Sequence, residues 1–289
     1  MANILIMAPT SIANIGASRG TGIANLLRPD PKEIWQDSAA GSAATIDVDF
    51  GAPVVIDTVF LGAIMSPALD ATWTIAGGLA GYTDTVIKAS STLRVPDRPG
   101  RTSLFTHAFW HGDDAYVRYL RLTIIQPAGN SPLAIGVLMA GIAFQPGYNL
   151  EWGAGRGIKD TGTATRLPSG GISVVEGARY GTYKWTLGDL TDDEADYLYE
   201  LQLDRGETRR VLVVENPDQT PGLRNRIHYG LLTGIKPYER RNPAQTTWDF
   251  QIEDWMSEGN TVVTTIAIPV LTLSGDTVSF GGEILTIGN

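Results

Sequence analysis

Apolar and polar residues alternate with a period of two over much of this chain. In "TIDVDF", Ile46, Val48 and Phe50 point one way and Asp47 and Asp49 the other; after Gly51 the run resumes as Val54, Val55, Ile56, Thr58, Val59 and Leu61. Such alternation predicts half-buried β-strands. The stretches "TWTIAG" (72–77), "SLFTHAFW" (103–110), "YVRYLRLTII" (116–125) and "IGVLMAGIAF" (135–144) add further strands rich in β-branched and aromatic residues. Gly77-Gly78, Pro99-Gly100, Gly112-Asp113 and Gly129-Asn130 supply turns between them. Short strands at this spacing predict a sandwich or jelly roll over residues 1–145.

The pattern then changes. Residues 146–171 are crowded with Gly, Thr, Ser and Pro and read as a linker or long loop. A second unit over 172–259 combines strands at "YGTYKWTLG", "RRVLVVEN", "IHYGLLTGI" and "QTTWDFQIEDW" with a single helix over 191–205. Thr191 and Glu194 have the spacing of a capping box, three carboxylates crowd the first turn, and Gly206 follows Arg205 as a stop. Ala195, Leu198, Leu201 and Gln202 form one stripe at helical spacing. Residues 260–289 are rich in Thr, Val and Ile and read as two or three strands. With too little core of their own, they are expected to pair with the second unit or with a neighbouring subunit.

Composition narrows the function. The 33 glycines and 16 prolines suit an all-β chain, and a net charge of −9 argues against a surface that coats nucleic acid. The absence of cysteine excludes disulfides and thiolate metal sites and favours synthesis in a bacterial cytoplasm. The opening residues lack the basic start of a signal peptide, and no apolar run reaches the roughly 20 residues of a membrane span. A soluble protein without its own export signal is expected.

Little catalytic chemistry is visible. His107 and His111 in "HAFWHGDD" are four apart, but on a strand that separation is about 13 Å, too long for one ion without a bend; the stretch reads as a strand end and a solvated Gly-Asp turn. No nucleophile elbow or phosphate-binding loop occurs, so neither catalytic nor cofactor-binding nor metal-ligating residues are expected. A catalytic carboxylate pair, whose partners meet only in space, keeps a glycan-active enzyme as a third reading. Trp185, Trp248 and Trp255 read as core. Trp35 and Trp110, at strand ends, read first as plugs of the sandwich and second, with Asp113 and Asp114, as a sugar platform.

Two resemblances extend this reading. Residues 24–62, with Ala24-Asn25-Leu26-Leu27, Trp35 and Val48-Asp49-Phe50-Gly51, resemble the opening of discoidin-type, galactose-binding-like jelly rolls. "YVRYLRLTI" and "IGVLMAGIAF" are similar to that family's arginine-containing and closing strands, although the usual acidic residue is missing between Gly136 and Gly141. Residues 172–257, from Trp185 through the Leu190-Thr191-capped helix to "TTWDFQIEDW", resemble minor tail proteins of long-tailed phages and their tail-tube-like sandwich with one flanking helix. Together they imply a mainly β distal or minor tail protein of a phage or prophage tail tip, ring-forming with itself and contacting other tail proteins. It would be assembled in the host cytoplasm into the virion tail. The alternative implied by the first resemblance is a bacterial carbohydrate-binding module with a glycan partner.

Overall fold

The structure, a computed structural model, describes residues 3–242 and 245–255 and, beyond them, strand segments 262–263, 272–274, 277–280 and 283–286. The first strands are β1 (Leu5–Met7), β2 (Asn14–Ala17), β3 (Trp35–Gln36), β4 (Ala43–Met65), β5 (Thr72–Gly78) and β6 (Thr85–Thr92). There follow β7 (Thr102–Ser103), β8 (Phe105–Ile125), β9 (Ala134–Ile135), β10 (Val137–Gly141) and β11 (Ala143–Phe144). The second half holds β12 (Gly155–Asp160), β13 (Thr163–Arg166), β14 (Ile172–Val175), β15 (Arg179–Leu190), helix α1 (Asp192–Arg205), β16 (Arg210–Val214), β17 (Ile227–Leu232), β18 (Glu239–Asn242) and β19 (Gln245–Asp254).

The front unit is a β-sandwich built on one long ribbon. Strands β4 and β8, of 23 and 21 residues, pair antiparallel along nearly their whole length, from Ala43 opposite Ile125 to Met65 opposite Phe105. The register breaks between Asp49 and Val54, Ile56 and Thr58, and Leu61 and Ile64. Such bulges bend and twist a ribbon, and inward residues from both halves meet in one core: Ile46 and Val48 with Val59, Leu61 and Ile64, Ala108 with Leu120, Leu122 and Ile124. The first break also shifts the inward face of β8. Val117 is buried, and from Leu120 onward the buried positions are the even-numbered Leu120, Leu122 and Ile124. β2, β9 and β10 add to β4, β5 adds to β8, and β6 to β5.

The rear unit is one antiparallel sheet in the order β11-β1-β16-β17-β19-β15-β12, with β18 at the side of β19. Its central strands are buried on both faces, hence the continuous apolar runs "LIM" and "RVLVV". Ile4, Ile6, Val211 and Val213 face the helix side, with Leu198, Leu201, Trp185, Trp248 and Phe250. Leu5, Met7, Leu212 and Val214 face the opposite way and pack with Phe60, Phe109, Val137 and Met139 of the front unit. Hydrogen bonds stitch the same seam: Tyr229 Oη donates to the Pro29 carbonyl at 2.6 Å and Arg224 Nε to that of Phe105 at 2.7 Å.

Helix α1 forms as its sequence predicts. Thr191 Oγ1 accepts from the Glu194 amide, Glu194 returns a bond to the Thr191 amide, and the buried residues are Ala195, Leu198, Leu201 and Gln202. Gly206 has φ 52°.

Three features depart from the expected layout. β1 and β11 lie in the rear sheet, so the front unit is inserted between two strands of the rear one rather than running from residue 1 to 145. The Gly/Thr-rich segment 146–171 is not a linker: β12 pairs with β15, and β13 begins the projecting hairpin it forms with β14. The turn expected at Gly112-Asp113 is a bulge within β8, which continues to Ile125. In the C-terminal segment 260–289, Val262–Val263 pairs with β7 of the front unit, and Thr272–Ser274, Thr277–Phe280 and Glu283–Thr286 pair with one another; the remainder lies outside the described residues.

Candidate functional site

A cleft of about 340 Å³ opens where the front sandwich meets the rear unit, lined by Trp73, Lys88, Arg94, Trp110, His111 and Gln219 among others. β5 and β6 supply Trp73 and Lys88, β8 supplies Trp110 and His111, and the loop before β17 brings Gln219, whose Nε2 donates to the Phe109 carbonyl at 3.2 Å. Trp73 is buried, and Lys88 Nζ sits 4.7 Å from the centre of its ring. That ammonium donates to the carbonyls of Trp73 and Ala89 and to Ser91 Oγ at 3.3, 3.1 and 2.6 Å. Burial pulls its pKa down to about 8.

Trp110 is half-buried, with its inner edge against the core. Its ring rests on Gly112, where an added Cβ would come within 2.9 Å of the indole. Glycine therefore leaves room for the ring to lie flat. Beside it, His111 Nδ1 is 3.0 Å from Thr58 Oγ1, Nε2 is 3.3 Å from Gln145 Oε1, and Thr58 donates to Asp57 Oδ1 at 2.8 Å. Buried Arg94 braces the wall through the carbonyls of Pro67 and Ser103 and the Asp97 carboxylate. The cleft thus offers an aromatic surface, amide and imidazole edges and one partly desolvated amine, a set suited to stacking and hydrogen bonding.

Of the residues expected to touch a ligand, only Trp110 lines this cleft. Trp35 is 0% exposed, paired in β3 opposite Ile135, and closed over by Gly20, whose Cβ position lies 2.8 Å from the indole nitrogen. It is core. Asp113 and Asp114 are exposed in the bulge of β8 and do not line the cleft. His107 and His111 keep to separate surroundings. His107 packs 5.3 Å from the Phe60 ring, its Nδ1 accepts from the Ala63 amide at 3.4 Å, and burial, with Arg224 and His228 nearby, holds its pKa down at about 3. Among the described residues no three His, Asp or Glu side chains are placed to hold a metal ion.

One ionic cluster had no signature in the sequence. His228, buried in β17, has Glu215 Oε1 2.9 Å from Nε2 and Asp254 Oδ1 3.1 Å from Nδ1. Tyr183 stacks on the imidazole at 5.0 Å with a 4° tilt, and Arg156 grips Glu215. Burial alone would depress this histidine, but the two carboxylates outweigh it and raise the pKa to about 9. With both ring nitrogens engaged, the imidazolium has no lone pair for base catalysis or a metal; it ties β12, β17 and β19 together. Glu215 precedes His228 by 13 residues and Asp254 follows it by 26, so only the fold brings the three together.

No family profile matches the sequence, and neither does any curated protein. Among solved structures, the chain is similar to the CBM32 of AlyQ in complex with 4,5-unsaturated mannuronic acid, at 18% identity over 46% of this chain and 98% of that one, TM-score 0.35. It is similar to chitosan-binding module 1 from the chitosanase/glucanase of Paenibacillus sp. IK-5, at 13% identity over 46% and 98% of the two chains, TM-score 0.37. A Ruminococcus gnavus GH29 fucosidase in complex with fucose matches at 12% identity, over 45% of this chain but only 25% of that one, TM-score 0.35.

Proposed function

We propose that the protein is a non-catalytic binding protein whose front unit holds a glycan in the cleft at Trp110. The observation that carries this reading is the half-buried Trp110 ring laid on Gly112 beside His111, Lys88 and Gln219. A sugar offers an apolar ring face with hydroxyls around its edge, matching a ring surface bordered by polar groups. Two of the similar solved modules hold or are named for sugars, but the reading rests on the cleft and not on those likenesses. Calorimetric titration with neutral and uronic oligosaccharides tests it. Saturable binding weakened at least about tenfold by Trp110→Ala, with the thermal transition retained, is expected for a stacking anchor. An absence of binding across the panel, or binding indifferent to that substitution, rejects it. Turnover of any polysaccharide would reject the non-catalytic part.

A second reading, a structural component of a phage or prophage tail tip residing in the virion tail, is favoured by a different observation. The hairpin arm formed by β13 and β14 stands clear of the body with its apolar side chains in solvent, as in a protein that completes its surface by assembly. Mass measurement on the purified protein and its detection in, or absence from, tail particles decide this reading.

A further inference from the structure

From Glu151 to Arg179 only Gly162 is not exposed. β12 lies along β15, and the two continue through Thr161 and Ala178, whose backbones bond at 3.0 Å, into the β13–β14 hairpin. A two-stranded hairpin exposed on both faces is marginal in water. This one has unlike faces. Ala164 pairs with Val174 and Arg166 with Ile172, so those four side chains share one face, while Thr163, Thr165, Ser173 and Val175 share the other. The first face is an apolar strip ending in a cation. At the root, the charges are already matched: Arg156 with Glu215, Lys159 with Glu253, Arg179 with Asp160. Arg166 has no carboxylate partner among the described residues.

The complementary surface is on α1. Its 14 residues carry six carboxylates and one arginine. Tyr199 and Leu203, four apart, are 51% and 69% exposed, and Asp196 shares their outward stripe. This is an apolar strip bordered by anions. It is out of reach of the arm on the same molecule. The arm leaves from the Arg179 end of β15 and the helix from the Leu190 end, 12 residues or about 40 Å apart; α1 can fold back only about 21 Å.

We propose that the β13–β14 arm docks its Ala164–Val174–Ile172 face on the Tyr199–Leu203 stripe of α1 in a second copy of this chain, with Arg166 meeting Asp196. The contact is head-to-tail, so repetition closes a ring or extends a filament. It does not depend on the glycan cleft, and it gives the assembly reading its interface.

Sedimentation velocity of the full chain at low salt, across a concentration series, tests the contact. The wild-type protein is expected to self-associate, and Arg166→Glu and Asp196→Arg each to weaken association about tenfold; the double variant recovers to within about threefold. Val174→Asp weakens association and Val175→Asp, on the opposite arm face, does not. All four sites are at the surface, so the fold is retained. A wild-type protein that stays monomeric throughout overturns both the contact and self-assembly. Association unmoved by the arm and helix variants, or a double variant that fails to recover, overturns this contact alone and leaves self-assembly by another surface standing.

Discussion

At the scale of single residues, two histidines set opposite limits on the pH range of stability. Folded His107 refuses a proton down to about pH 3, whereas an unfolded histidine takes one up near 6.5. The unfolded chain therefore binds more protons over that interval, and stability falls as pH drops below 6.5. His228 behaves in reverse. Its folded pKa is raised to about 9, so its contribution is complete below 6.5 and is lost as pH rises through 9. Urea unfolding from pH 4 to 10 should show a maximum near 6.5. His107→Gln should flatten the acid limb and His228→Gln the alkaline one, the latter at a cost of about 3 kcal/mol near pH 6 because Glu215 and Asp254 lose their shared cation. Identical slopes in wild type and His228→Gln above pH 7 would refute the assignment. Neither environment was legible in the sequence, where a histidine's neighbours across a sheet are invisible. Trp35 was half legible: alternation placed it ahead of the first long strand, and only the closure by Gly20 and β9 decides for core over ligand.

At the scale of elements, what is local in sequence was readable and what is paired at a distance was not. Helix α1 carries its own start, stripe and stop within 16 residues, and its cap and buried positions match the reading side chain for side chain. The capping box makes this testable. Thr191→Ala should destabilise the protein by about 1 kcal/mol, and Thr191→Ser should restore most of that. Chemical denaturation of the three proteins checks it, and a neutral Thr191→Ala would mean that the rear sheet alone holds the helix in place. The arm is hidden in the sequence for a physical reason. Its Gly, Thr and Ser content suggests a flexible linker, yet "TATR" and "ISVV" each alternate weakly, and a strand that buries neither face carries no strong apolar signal. Gly112-Asp113 has the composition of a turn, but its place opposite Asp57 in the β4–β8 ribbon makes it a bulge and keeps the strand running.

At the scale of the whole molecule, the two units are not successive beads. β1 reaches its partners β11 and β16 across about half and more than two-thirds of the chain, and the front sandwich occupies the interval. Such pairings leave no trace in local periodicity, so the sequence alone suggests a boundary near residue 145. The consequence is mechanical. Leu5 and Ile6 are neighbours on β1 with opposite faces: Leu5 packs into the seam with Phe60, Val137 and Met139, and Ile6 into the helix-side core with Trp185 and Leu198. Were the units independent, Leu5→Ala would loosen the seam while Ile6→Ala melted the rear unit alone. Because one strand serves both cores, both substitutions should lower a single cooperative transition, each by about 2–5 kcal/mol. At about 2–4 °C per kcal/mol for a chain of this size, scanning calorimetry should resolve each shift. A thermogram that splits into two peaks in Ile6→Ala but not in Leu5→Ala would show that the seam transmits nothing and that the inserted sandwich folds on its own terms.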